Sequence, residues 1–322
     1  MMFDLSVYHI IFTAEAQTPL HLGAQAGAQL RGTLWKGLQE VACTDPSQAT
    51  LPRHARHCPA CYLMALEQGS ARGKNPPRPF TIRPPLAVRA EEDRQYKLGE
   101  RFQIGMVLVG DALALFPYLV HGLREAGRRG VGYGRGLFSL EDICSEDPLK
   151  NERRSLLHQG QVSMPTLAVD NSLIRAHTEA LPDDFVQLRF LTPTQIMHKG
   201  TLLQYPEFAP IIARILERVQ ALVLHYTVDA TSQRQWQSLH EVLMKSAERV
   251  RCVQDNTRWV EVRSGSRRNN YVHDISGFVG EVRYEGDLRP FLPWLLWGQS
   301  LHVGKNAVKG NGWYELVSTG QN

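Results

Sequence analysis

No long apolar run occurs in this 322-residue sequence. The longest, around Ala112 to Val120, falls far short of the roughly 20 residues that span a bilayer; Pro117 and His121 interrupt it, and no membrane role is expected. Cysteine is scarce and odd in number: Cys43, Cys58, Cys61, Cys144 and Cys252. With no secretory signal ahead of them, they suggest a reduced, cytoplasmic protein rather than a disulfide framework. Charge of one sign barely prevails, at +4 with a pI near 8.8. That balance permits a polyanionic partner without demanding one. What remains is an ordinary globular composition, 43% hydrophobic and 21% charged, in a length that suits about two domains with a core in each.

The patterning supports two α+β units. Leu5 to Thr13 (LSVYHIIFT) is strand-like, and Leu30, Leu34, Leu38 and Val41 recur at helical spacing. From Pro52 to Pro85 the chain is rich in Pro and Gly, with CPAC and GKNPPRPF, and no regular structure is expected there. Phe102 to Val109 predicts a strand, Pro117 to Ala126 a helix and Leu137 to Leu140 a strand beyond the loop GRRGVGYGRG. This order is that of a ferredoxin-like domain. Polar residues from Ser145 to Gly160, with weak patterning up to Pro182, read as a linker. The expected organisation is therefore a first domain at 1–145 with a Cys- and Pro-rich insertion at 43–85, a linker at 146–181, and a second domain at 182–322.

A second cycle follows that linker. It has a strand at Val186 to Leu191, a helix carrying Phe208, Ile211, Ile212, Ile215, Val219 and Leu222 on one face, and a helix with Trp236, Leu239, Leu243 and Ala247. A strand at Trp259 to Val262 leads through RSGSRRNNY to GFVGEVRYE, and Pro290 to Trp297 forms a short helix stopped by Gly298. Both halves end in a helix, a Gly-rich loop and a strand: HGLREAGRRGVGYGRGLFSL in the first, LLWGQSLHVGKNAVKGNGWYEL in the second. In the second copy His302 and Lys305 sit among Gly304, Gly310 and Gly312. An imidazole and an ammonium on a loop open to close backbone approach suit proton transfer beside a phosphate.

The segments GAQLRGTLWKGL (27–38), GVGYGRGLF (130–138), RFLTPTQIMHKG (189–200), RSGSR (263–267) and GFVGEVRYEGDLRPFLPWLLWGQSLHVGKNAVKGNGWY (277–314) occur in this order along nearly the whole chain. Together they resemble the RAMP superfamily of CRISPR-associated proteins, and within it the endoribonuclease family that cuts precursor CRISPR RNA inside its repeats, the Cas-six family. The resemblance implies two tandem ferredoxin-like (RRM-like) domains with Gly-rich loops. It also implies a ribonuclease that needs no metal for catalysis, in which the RNA's 2′-hydroxyl attacks the adjacent phosphorus and leaves a 2′,3′-cyclic phosphate and a 5′-hydroxyl. The implied partners are CRISPR repeat RNA and other CRISPR effector subunits. The alternative is a RAMP subunit that binds guide RNA without cutting it.

That reaction needs a base, an acid and a cation. His302 and Lys305 are the first candidates. Relatives also take a histidine from the region after the first helix, where this chain has His54 and His57; His21, just before that helix, is a third position. The basic residues expected to meet RNA are Arg128, Arg129 and Arg135 in the first Gly-rich loop, Lys199, and Arg263, Arg267 and Arg268, with Tyr271 able to stack on a base. Cys43, Cys58 and Cys61, with an imidazole from His54 or His57, form a candidate structural zinc set. If His57 held the metal, it could not also serve as the base.

Overall fold

The first strand, β1 (Ser6–Ala16), alternates buried and partly exposed residues along most of its length, as a strand covered on one face should. The computed structural model describes residues 3–67, 76–228, 231–266 and 271–317. Strand β2 (Leu20–Leu22) leads into helix α1 (Ala26–Ala42), which buries Leu30, Leu34 and Leu38 but leaves Val41 exposed. The region expected to lack regular structure then contains two short helices, α2 (Pro52–Ala55) and α3 (Pro59–Met64). Each opens on a proline, which has no N–H to lose in a first turn; residues that read as breakers are helix starts. The fully buried strand β3 (Phe80–Arg83) follows, then β4 (Arg94–Tyr96), which pairs with β2.

Strand β5 (Arg101–Val109), helix α4 (Phe116–Arg129) and strand β6 (Phe138–Asp147) complete the first unit. Its sheet runs β3-β5-β1-β6, antiparallel at every junction. Of these four strands in chain order, the first (β1) is flanked by the third (β5) and the fourth (β6), the ferredoxin-like arrangement.

Residues 146–181 are not bare connection. Strand β7 (Glu152–Ser155) extends the first sheet beside β6, β8 (Leu157–His158) and β9 (Gln161–Val162) form a small hairpin, and β10 (Val169–Asp170) pairs with the start of β1. Asp170 then caps helix α5 (Asn171–Glu179) by accepting from the N–H groups of Ser172 and Leu173. Polar, half-exposed residues in these short strands hide their periodicity.

The second unit comprises β11 (Phe185–Thr194), the hairpin of β12 (Met197–His198) and β13 (Thr201–Leu202), and helices α6 (Phe208–Tyr226) and α7 (Gln233–Ala247). Strand β14 (Arg251–Val260), the hairpin of β15 (Arg263–Ser266) and β16 (Tyr271–Asp274), β17 (Gly277–Glu285), α8 (Leu292–Leu301) and β18 (Tyr314–Leu316) complete it. The sheet order, β14-β17-β11-β18, repeats that of the first unit. β14 starts eight residues before its sequence signal because it is an edge strand of mostly exposed residues. α8 runs through Gly298 rather than stopping there. A side chain at that position would sit 2.2 Å from the Tyr314 hydroxyl, so Gly298 is a notch for packing.

One apolar core joins the units: Phe3, Leu5, Val7, Val107, Val109 and Ile174 cluster with α6, α8 and the second sheet. A second core fills the first unit between its sheet, α1 and α4. No described helix is long and apolar enough to cross a membrane.

Candidate active site and nucleic-acid interface

A cavity of about 940 Å³ opens between α1, the first Gly-rich loop and the β15–β16 hairpin of the second unit. α1 contributes Gln29, Thr33 and Lys36, on the side away from its buried leucines. The loop contributes Arg129, Tyr133 and Arg135, and the hairpin Ser264, Gly265 and Val272. Among the described residues, three cationic side chains and no carboxylate line the space. A phosphodiester chain would be drawn to such a surface.

The loop that forms this wall is set by backbone. Gly132, at φ +75, lies so close to the chain that a side chain there would sit 2.0 Å from the His21 carbonyl oxygen. Tyr133 N–H donates to that carbonyl at 2.8 Å. Gly134, at φ +74, faces open space instead. Gly132 is thus architectural, whereas Gly134 leaves the wall low where the cavity is open.

His21 stands beside this wall, its ring 5.0 Å from that of Tyr133 in an edge-to-face arrangement. Its Nε2 lies 2.6 Å from Asp93 Oδ2. Asp93 is itself oriented, since its other oxygen accepts from the Ala24 N–H at 3.1 Å. Buried Arg94 secures the strap that carries Asp93 by donating to the carbonyls of Pro85 (2.9 Å), Glu92 (2.8 Å) and Gly23 (3.3 Å). Glu91 ties the same strap to Arg258 of β14 at 2.7 Å, and that contact holds its carboxyl below the usual range. Tyr133 Oη accepts from Gln25 Nε2 at 2.9 Å. A histidine held by a carboxylate through one nitrogen keeps the other for proton transfer.

The residues singled out from the sequence fall in several places. His302 is fully buried, at 0% exposure, and does not stand on an open loop. It caps α8 in left-handed backbone (φ +62), lies parallel to Trp313 with centroids 6.2 Å apart, and has Nδ1 3.2 Å from the Asn311 carbonyl. Burial, then Arg83 and Arg218, drives its pKa well below the ordinary histidine value. Its surroundings are an interdomain polar core: His9 Nε2 meets Ser300 Oγ at 3.1 Å, and Arg83 donates to the Gln299 carbonyl while lying 5.1 Å from the Trp313 ring.

Lys305 is exposed, and its N–H donates to the Gln195 carbonyl. Lys305 does not line the cavity. The second Gly-rich loop packs against the first unit, where a side chain at Gly27 of α1 would strike the Lys309 carbonyl at 2.0 Å. The loop expected to meet ligand is therefore closed by the domain interface, and its counterpart in the first unit is the open one.

His54 belongs to the cysteine cluster in the insertion, and exposed His57 lines a separate cavity of about 210 Å³ with Tyr62 and Asp111. Of the basic set, Arg129 and Arg135 line the large cavity, and Arg129 also pairs with Glu40. Arg128 is exposed and contacts Glu125 at 3.5 Å. Lys199 tips the β12–β13 hairpin and is not in the lining. Arg263 is exposed on β15, opposite Asp274. Arg267 and Arg268 lie outside the described residues, and Tyr271 is described through its backbone, paired with Ser266. Lys36 and Tyr133 escaped the sequence reading, although both lie within motifs it quoted.

A family model described as an N-terminal domain matches residues 5–169, and the model of the CRISPR-associated endoribonuclease Cas6 family matches residues 188–314. No curated protein matches the chain. Among solved structures, Thermus thermophilus Cas6 shares 15% identity at a TM-score of 0.53, covering 97% of this chain and 99% of that one. A partial Cas6-RT-Cas1–Cas2 complex matches at 12% identity and a TM-score of 0.59, covering 100% of this chain and 48% of that chain. A RAMP protein described as binding different RNA substrates matches at 9% identity and a TM-score of 0.51, over 97% of this chain and 100% of its own. At these identities the structural likeness is one of fold: the tandem ferredoxin-like arrangement. Two such units therefore stand in order, and the second, over residues 188–314, matches the model of the CRISPR-associated endoribonuclease Cas6 family.

Proposed function

We propose that this protein cuts CRISPR repeat RNA by internal attack of a 2′-hydroxyl, with His21 as the proton-transfer residue. The observation that carries this reading is the His21–Asp93 pair standing beside a cavity lined, among the described residues, by three cations and no carboxylate. Asp93 accepts from Nε2–H, so Nδ1 takes the 2′-hydroxyl proton as that oxygen attacks phosphorus. The phosphorus–O5′ bond breaks, giving a 2′,3′-cyclic phosphate and a 5′-hydroxyl. Tyr133, whose oxygen already accepts from Gln25, has its own O–H to protonate the leaving oxygen. Lys36, Arg129 and Arg135 offset the charge that builds on the phosphate. No divalent ion takes part in the step. The relatives described as a Cas6 product complex and as a RAMP protein binding RNA substrates support RNA as the ligand of this cavity, and the Cas6-RT-Cas1–Cas2 assembly supports other CRISPR proteins as partners.

The test is a repeat-containing RNA incubated with the purified protein in buffer free of Mg²⁺ and Mn²⁺. One cut per repeat is expected, abolished by a single deoxyribose at the nucleotide before the cut. Cleavage that survives the deoxy substitution would sink the 2′-hydroxyl mechanism. Tight binding without any cleavage would favour a non-catalytic RAMP subunit instead.

A further inference from the structure

In the insertion after α1, four metal-ligating side chains converge. Cys43 directly follows α1, His54 lies on α2, Cys58 directly precedes α3, and Cys61 sits in its first turn. Their ligand atoms all lie within 4.8 Å of one another, the only such His, Cys, Asp and Glu cluster among the described residues. Cys43 Sγ is 3.5 Å from His54 Nε2 and 3.6 Å from Cys61 Sγ. A tetrahedral zinc with Zn–S of about 2.3 Å and Zn–N of about 2.0–2.1 Å separates its ligand atoms by about 3.5–3.8 Å. Cys58 and Cys61 are buried at 6% and 0% exposure, and Cys43 and His54 are partly buried.

We propose that Cys43, His54, Cys58 and Cys61 bind one zinc ion in a closed, structural Cys₃His site. Three thiolates and one imidazole form the soft ligand set that selects zinc over oxygen-seeking cations. With four protein ligands no position stays open for water or substrate, so the ion holds structure and performs no chemistry on RNA. Binding displaces three thiol protons, and His54 enters as the neutral imidazole through Nε2.

The local fold gives the ion a purpose. α2 and α3 have four and six residues, too few for helices that stand alone. Ala55, Ala60, Leu63 and Met64 bury a small apolar surface, and the metal fastens it to the end of α1, the helix that carries Lys36 and Gln29. The site also assigns the two histidines of RHARHC: His54 is a ligand and therefore no base, and His57 lies outside the set.

The test is metal content and spectroscopy of the full chain, purified without chelator from zinc-supplemented culture. About one zinc per chain is expected, released in step with mercurial modification of three thiols. Replacing zinc by Co²⁺ should give near-ultraviolet thiolate charge-transfer bands and the intense visible bands of a tetrahedral site. Cys58→Ser should lose the ion. Because Cys58 is also buried in the apolar core, His54→Ala and His57→Ala form the second comparison, with folding followed by circular dichroism. His57→Ala keeps both metal and Co²⁺ spectrum, whereas His54→Ala weakens retention at least tenfold and shifts the visible bands. A folded wild-type chain with zinc near zero and no Co²⁺ charge transfer overturns the site. So does a Cys43–Cys61 disulfide in freshly purified protein, or metal loss on replacing His57 in place of His54.

Discussion

His21 Nε2 and Asp93 Oδ2 lie 2.6 Å apart although 72 residues separate them in sequence. Pairing of β2 with β4 places the histidine opposite Gln95, and Asp93 then reaches it from the strap just before β4. One link is strand pairing, and the other is the buried Arg94 guanidinium that holds the strap in place. The result is an oriented imidazole beside the cationic cavity.

Replacing His21 by Ala should lower the single-turnover cleavage rate by about a hundredfold, the usual worth of general acid–base catalysis. Asp93→Asn should cost less, about tenfold, because the ring keeps a partner but loses the one that favours the right tautomer. RNA affinity should stay within about twofold in both. A His21→Ala enzyme cutting at the wild-type rate would remove this residue from the mechanism, whereas His302→Gln slowing cleavage without altering thermal stability would restore the buried histidine as a candidate.

Lys36→Ala and Arg135→Ala should each weaken RNA binding and reduce the dependence of log K on log salt by about 0.7 to 0.9 per lost phosphate contact. Arg128→Ala should leave the slope unchanged, since Arg128 lies outside the cavity lining. Fluorescence anisotropy at several salt concentrations reads both quantities. Equal slopes for all three variants would show that the RNA runs elsewhere.

Stability should fall with acidification through His9 and His302. Burial, foremost, holds the pKa of each well below the ordinary value, with Arg83 the next cause for both. The unfolded chain therefore binds protons that the folded chain refuses. The contribution is fully present above about pH 6.5 and declines as pH falls below it toward the folded-state values. Urea midpoints at about pH 7.5 and about pH 5.5 should differ, and His9→Gln or His302→Gln should reduce that difference relative to wild type. An unchanged difference in both variants would assign the acid sensitivity to other groups.

Two alanine substitutions in one loop should behave differently. Gly134→Ala meets open space and should cost only about 1–2 kcal/mol, the penalty for left-handed backbone. Gly132→Ala must also displace the His21 carbonyl, so it should lower the melting temperature further and slow cleavage as the histidine moves. Identical melting curves would contradict the close approach.

Much of the architecture was legible along the chain. The recurring helix, Gly-rich loop and strand showed the duplication, because periodicity and turn residues are local signals. The elements that escaped had local signals that misled. Pro52 and Pro59 looked like breakers and are first-turn residues, Gly298 looked like a stop and is a packing notch, and β14 lacks alternation because it is an edge. The site was legible only in part. Arg129 and Arg135 line the cavity, whereas the second loop packs on the first unit and His302 is buried.

The sequence by itself determined two α+β units, their order and the composition of both loops, since hydrophobic period and glycine placement act over a few residues. Only the tertiary structure decided which loop is open. Docking of the units buries His302 among Arg83, Arg218 and Trp313 and presses the second loop onto α1, while the first loop stays on a cavity with Lys36. It also brought Asp93 to His21 and chose His54 over His57 for the cysteine cluster. Each of these depends on contacts between residues distant along the chain, and exposure and pairing are properties of a surface that exists only once the units have packed.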